Sequence, residues 1–162
     1  MKKLWAPWRA EYILGPKEKG CLLCRVSQED KDKENLVLWR GELGLAMLNR
    51  FPYNTGHLMV VPYRHQSLLE NLDARESLEL IQLAQRCIRV LKVSMKPQGF
   101  NLGINIEDIA GAGIEDHVHM HIVPRWSGDT NFMPVLASTK VISQALEETY
   151  RTLKTAFETL AG

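Results

Sequence analysis

The stretch "EDHVHMHIVPRW", Glu115–Trp126, sets His117, His119 and His121 at every second residue, with Val118, Met120 and Ile122 between them. That period is the one of a β-strand, in which successive side chains leave opposite faces of the sheet. The three imidazoles then form one row, neighbours roughly 6.6 Å apart at about 3.3 Å of rise per residue, and the apolar three face a core. A lone histidine on such a strand is usually a solvated polar residue of a sheet edge. Here that plain reading weakens, because the chain has five histidines and the other two, His57 and His65, flank one apolar run, "HLMVVP". All of them fall in two short segments.

Working outward, "LVLWR" and "LGLAMLN" are apolar runs separated by Gly41 and Glu42, the pattern of a hairpin. "RFPYNTG" reads as a loop, and "HLMVVP" as a buried strand stopped by Pro62. From Asp73, an N-cap with Glu76 three residues on, Leu80, Ile81, Ala84, Cys87, Ile88, Leu91 and Met95 recur at helical spacing until Pro97 and Gly99. "FNLGINI" predicts a further strand, joined to the histidine row by "EDIAGAGIED". At the end of the chain Ile142, Ala145, Leu146, Thr149, Tyr150, Leu153, Phe157 and Leu160 form one stripe, predicting a helix within residues 138–162. Residues 1–34 hold the aromatics Trp5, Trp8 and Tyr12, then Cys21 and Cys24, then "SQEDKDKEN", which reads as a solvated loop. The expected fold class is α+β: about five antiparallel strands, a long central helix and a C-terminal helix, in a single domain over 1–162.

Composition narrows the partners. At 162 residues with 45% apolar content, one packed domain is expected. Twenty Lys and Arg against nineteen Asp and Glu leave a net charge of +1, with no basic block for nucleic acid. The opening "LWAPWRAEYILG" lacks a signal core, and no apolar run is long enough for a membrane span. Three cysteines, two of them as C-x-x-C, fit a reducing compartment and point to a cytoplasmic protein.

Cys21 and Cys24 are spaced as two soft ligands of one zinc, which needs two more donors. Histidines on neighbouring strands are able to supply them, although spacing does not say which. Two small buried hydrophobes are the plainer alternative; a redox dithiol lacks its βαβ setting. Cys87 lies on the apolar stripe of the long helix and reads as core. A catalytic metal in the histidine row is disfavoured, since neither H-x-H-x-D-H nor H-E-x-x-H occurs and no carboxylate interrupts the row. What is left is nucleophilic or acid–base imidazole chemistry. A neutral imidazole attacks phosphorus well when its other N–H is held by a carbonyl, and neighbouring rings stabilise the phosphoryl oxygens. The "GAG" upstream offers backbone N–H groups to the same oxygens, or is a simple turn.

These residues together resemble the histidine triad family of nucleotide hydrolases and transferases. The resemblance runs through "CLLC", "NTGHLMVVPYRH", "GFNLGINI" and "DHVHMHIVPRW", and the opening "LWAPWRAEYI" and "HIVPRWSGDTNFMP" are most similar to the bacterial branch that resembles diadenosine tetraphosphate phosphorylases. It implies attack by the middle histidine, His119, on the α-phosphate of a nucleotide, giving a nucleotidyl-imidazole. His121 then contacts phosphate oxygens, and His57 matches the fourth histidine behind the row. It further implies a structural zinc on Cys21, Cys24, His65 and His117, making residues 1–34 an aromatic and zinc-knuckle segment. Asn105 is implied at the reacting phosphate, Asn49 at ribose, the backbone of Gly111, Ala112 and Gly113 at phosphate, and Trp126 at an adenine or a partner subunit. Trp126 reads equally well as plain core. Where many members carry Gln and then Ser or Thr, this chain has Gly113 and Ile114. A homodimer whose sheets join is implied as well. The expected activity is cleavage of diadenosine tetraphosphate-like dinucleoside polyphosphates, with phosphate or water as acceptor. A nucleoside phosphoramidate hydrolase, a nucleotide-binding module without turnover and a structural zinc protein are the alternatives.

Overall fold

The structure is a computed structural model that describes residues 20–129, 142 and 144–160. The aromatics Trp5, Trp8 and Tyr12 and the "NFMP" segment lie outside these residues.

Two short helices open the described chain: α1 (Leu22–Gln28) and α2 (Asp32–Asn35). They correct the reading of "SQEDKDKEN" as a loop. Leu23 and Val26, three residues apart on one side of α1, are buried, and α1 runs on through Ser27 and Gln28, while Asp32–Asn35 form α2 with Asn35 buried. Strands β1 (Val37–Arg40) and β2 (Gly44–Leu48) form the expected hairpin, and β3 (Leu58–Pro62) pairs antiparallel with β2 from Leu48↔Leu58 to Gly44↔Pro62. Helix α3 (Ala74–Met95) begins at Asp73, whose side chain accepts from the Glu76 N–H while the Glu76 carboxylate accepts from the Asp73 N–H. This reciprocal cap satisfies two amide groups that a helix start otherwise leaves unpaired. Lys96, at φ +50°, ends it. Strand β4 (Gly99–Ile104) then pairs along its whole length with β5 (Met120–Arg125).

The five strands lie in the order β1-β2-β3-β5-β4, all neighbours antiparallel. β5, the strand of the histidine row, is therefore internal, which removes the solvated-edge reading. Its ladder begins only at Met120: the Val118 N–H donates to the Gln66 carbonyl instead of to a neighbouring strand. The alternation nevertheless holds through the row, with Val118, Met120 and Ile122 buried. One face of the sheet, with Ala46, Leu48, Leu58, Val60 and Ile122, packs on Leu80, Leu83, Ala84, Cys87, Val90 and Leu91 of α3. Each fully buried Leu or Val contributes roughly 1.5–3 kcal/mol by apolar transfer. The other face carries Val37, Leu45, Met47, Met59 and Val61 against Leu23 and Val26 of α1. The last helix, α4 (Leu146–Thr159), buries Tyr150, Leu153 and Phe157 beside α3 and β1. It starts later than the 138–162 stripe suggests; Ile142 and Ala145 precede it, and Leu160 follows it half exposed.

Candidate active site

The histidines occupy the sheet face that α1 covers only in part. His121 sits opposite Met59 in the ladder on one side and opposite Gly103 on the other. A Cβ built on Gly103 would meet nothing within 4 Å, so the glycine leaves open space beside His121.

At the start of the row, four side chains converge. The Cys21 Sγ lies 3.3 Å from His117 Nδ1, and the Cys24 Sγ lies 3.2 Å from His65 Nδ1 and 3.5 Å from His117 Nδ1. All four donor atoms fall within 4.8 Å of one another. The hairpin, β3 and α1 each deliver a part. Cys21 caps α1 and Cys24 lies in its first turn, while Arg40 of β1 grips the far end of α1 through the Val26, Ser27 and Glu29 carbonyls and the Asp32 carboxylate. His65 is placed from the other side, because Arg64 bonds Glu76 at the start of α3. This bond holds the Glu76 carboxyl down at about 2. His117 is fully buried, and its Nε2 lies 2.8 Å from the Pro62 carbonyl. A carbonyl only accepts, so Nε2 carries the proton and Nδ1 presents its lone pair to the cysteines. Two thiols and two imidazole lone pairs at tetrahedral-edge separations fit a closed Cys2His2 zinc site. All three cysteines are free of disulfides.

The next histidine of the row is wired the other way round. The His119 Nδ1 lies 2.8 Å from the His117 carbonyl, so Nδ1 carries the proton and Nε2 keeps a lone pair with no partner among the described residues. Burial pushes the His119 pKa down, which keeps the ring neutral and nucleophilic at pH 7. In the loop before β3, the Tyr53 N–H donates to His57 Nδ1 at 3.0 Å, and Asn49 Nδ2 lies 3.4 Å from the same nitrogen. His57 must then be protonated on Nε2, which stands 2.9 Å from His121 Nδ1. His121 accepts there, and its own proton is left on Nε2. Burial, with the neighbouring rings His121 and His119 adding to it, lowers His57 to about 3; burial, with His119 adding to it, lowers His121 to about 4. The His119 and His121 rings meet edge to face, centroids 4.8 Å apart. One lone pair and one N–H thus face the same space.

The remaining expected residues divide. Asn49 stands beside His57, where its Oδ1 accepts the Phe51 N–H and shapes the loop. Asn105 lies at the end of β4 and bridges from Nδ2 to the Gly111 carbonyl at 3.1 Å. In the glycine loop the Gly111 N–H donates to the Asp108 carbonyl and the Ala112 N–H to the Glu107 carbonyl, closing the loop's own turns. Gly113 alone of the three keeps its N–H without a partner among the described residues. Gly111 does need to be glycine, at φ +83°. Trp126 sits as the plain core reading expects. Its indole donates to the Met95 carbonyl at 3.3 Å, which ties it to the end of α3 and away from the histidine face. It shares the parity of Ile122 and Pro124, the residues packed toward the helix. Two contributors were missed. Tyr53, 52% exposed, sets its ring 4.7 Å from His57 and 5.7 Å from His121; an aromatic four residues before His57 in a polar loop was the available signal. Pro62 acts through its carbonyl, for which no side-chain signal exists.

A closed cysteine–histidine cluster beside one unpartnered imidazole lone pair and one imidazole N–H defines a protein built for group transfer through histidine. The chain belongs to the HIT domain family, whose pattern its residues 30–128 match. It is 43% identical to the AP-4-A phosphorylase of Mycobacterium tuberculosis, over 96% of this chain and 84% of that one. It is 31% identical to the asymmetrical bis(5'-nucleosyl)-tetraphosphatase of Schizosaccharomyces pombe, over 57% of this chain and 50% of that one. Among solved structures it is similar to a Zn-bound histidine triad family protein from Mycobacterium smegmatis, with 25% identity and a TM-score of 0.72 over 88% of this chain and 96% of that one.

Proposed function

We propose that the protein cleaves dinucleoside polyphosphates of the diadenosine tetraphosphate type by passing a nucleotidyl group through His119 to inorganic phosphate. The observation that carries this reading is the opposite wiring of His119 and His121. His119 Nε2 attacks the α-phosphorus and the bond to the bridging oxygen breaks, releasing ATP. Positive charge grows on the nucleotidyl-imidazole, where the His117 carbonyl faces the Nδ1–H. His121 donates its Nε2–H to a phosphoryl oxygen, and His57 keeps that proton on Nε2. Phosphate then attacks the nucleotidyl group, the P–N bond breaks, and ADP leaves. The relatives support the substrate class: one is named for phosphorolysis of AP-4-A and one for a bis(5'-nucleosyl) tetraphosphate.

The Cys21, Cys24, His65 and His117 cluster would hold a zinc ion whose four protein ligands leave no position for substrate. The ion supplies cross-linking between α1, the segment after β3 and the row. Asn49, Asn105 and the Gly113 N–H are the nucleotide contacts that fit this placement. β4 is an edge strand with Asn101, Leu102 and Gly103 exposed, which supports a homodimer joined edge to edge. Among the described residues no helix is long and apolar enough to cross a membrane, and free cysteines suit the cytoplasm.

The test is product analysis with diadenosine tetraphosphate, with and without inorganic phosphate. ADP plus ATP appearing only with phosphate is the expected result. AMP plus ATP without phosphate would make the acceptor water, and no product at all would overturn the substrate class.

A further inference from the structure

On the opposite side of the sheet from the histidines, a cleft of about 350 Å³ opens between the β1–β2 hairpin and α3, lined by Trp39, Gly41, Glu79, Gln82, Arg86 and Arg89. Gln82, Arg86 and Arg89 are spaced four and three residues apart, so they form one stripe of the helix. The Arg86 guanidinium lies 3.7 Å above the Trp39 ring, and Trp39 is backed by Phe157 of α4 at 6.4 Å between centroids. The stack fixes the guanidinium in orientation. The ring face is the contact its charge has: the Arg86 Nε is buried without a hydrogen-bond partner, and among the described residues no carboxylate pairs with Arg86 or Arg89. Arg86 as a residue is only partly buried, but a buried N–H without a partner is unusual, since burial removes the water that would satisfy it.

The one acid in the cleft is held elsewhere. Glu79 Oε1 accepts the Glu42 N–H at 2.9 Å and reaches the Leu43 N–H at 3.5 Å. Gly41 is required for this grip, because a Cβ there would lie 2.2 Å from the same oxygen. The hairpin turn therefore fixes the carboxylate at the far end of the cleft and leaves the arginine end cationic.

We infer that this cleft is a second anion site, independent of the histidine face, which takes a phosphate group between Arg86 and Arg89 with Gln82 as an amide donor. Guanidinium groups match phosphate by paired donors in one plane, and a stacked arginine loses little freedom in making those bonds. The inference does not depend on the reaction at His119.

Inorganic phosphate is the probe. In NMR titration of the whole protein at constant ionic strength, the Arg86 Nε–H and Trp39 indole signals should shift saturably. The midpoint should be the same in His119→Ala, which separates this site from the histidines. Arg86→Gln should abolish the Trp39 shift, and Arg89→Gln, an exposed change that leaves the core alone, should weaken the midpoint at least threefold. Turnover at the histidine site should be unchanged in Arg89→Gln. A linear, non-saturating shift, equal shifts from chloride, or a midpoint indifferent to Arg89→Gln would each overturn the site. An equal midpoint for acetate would overturn its assignment to phosphate.

Discussion

His117 and His119 are two residues apart, point to the same side and are both buried, yet they have opposite chemistry. His117 gives its Nε2–H to the Pro62 carbonyl and turns Nδ1 to the cysteines; His119 gives its Nδ1–H to the His117 carbonyl and keeps Nε2 free. The difference lies in which backbone oxygen each ring meets. A histidine is a bifunctional group, and the partner of one nitrogen decides what the other can do. The two rings are also joined in series, since the carbonyl that orients His119 belongs to the residue that faces the cysteines.

The sharpest way to break this comparison is to remove the proposed nucleophile, His119. His119→Ala should lower kcat on diadenosine tetraphosphate by on the order of 10^4-fold or more, as loss of a covalent nucleophile does, with nucleotide affinity by calorimetry little changed. Next, His121→Ala removes one donor to the phosphoryl oxygens and should cost roughly 10^2–10^3 in kcat. An equal loss in both variants would mean that the rings share one role. Cys24→Ser attacks the other end. Zinc measured by atomic absorption should fall from about one per chain toward zero, the melting temperature should drop, and turnover should fall by roughly 10–100-fold because the carbonyl facing His119 loses its anchor. Unchanged turnover in a metal-free, folded protein would show that the two ends are uncoupled.

A milder prediction concerns pH. His57 and His121 titrate near 3 and 4 in the fold, below the ordinary value of 6.5, chiefly through burial. Below 6.5 the unfolded chain therefore binds protons that the folded chain refuses. Stability contributed by these rings is fully present above 6.5 and is lost as pH falls toward 4. Thermal melts at pH 7, 6 and 5 should show a declining midpoint, and His57→Gln should flatten the decline. The smallest effect belongs to Trp126→Phe. It removes the bond to the Met95 carbonyl and should cost about 1 kcal/mol in denaturant unfolding, with KM for nucleotide unaltered. A raised KM would return Trp126 to the site.

Periodicity made most of the fold legible. The cap at Asp73 and Glu76 and the stripe from Leu80 to Met95 delimit α3 almost to the residue, because a long amphipathic helix writes both its ends and its buried face into local sequence. The strands were equally readable from their apolar runs. The short helices α1 and α2 were not, since "SQEDKDKEN" is polar throughout and the residues that tertiary contact buries in α1, Leu23 and Val26, lie just before it. Cys21, Cys24, His65 and His117 do meet as the resemblance implied, although neither their spacing nor their types name that pairing. A glycine run signals available backbone but not its partners, and here the Gly111 and Ala112 amides close the loop on itself.

By itself the sequence determined that His117, His119 and His121 would leave the same side of one strand, since the alternation of "HVHMHIV" leaves little choice of face. Only the tertiary structure decided which ring nitrogen is free. That choice rests on the carbonyls of Pro62 and His117 and the amide of Tyr53, groups every residue carries and which no side-chain pattern reports. Only the fold, likewise, set Arg86 over Trp39, forty-seven residues apart in the chain, and left its Nε without a hydrogen-bond partner.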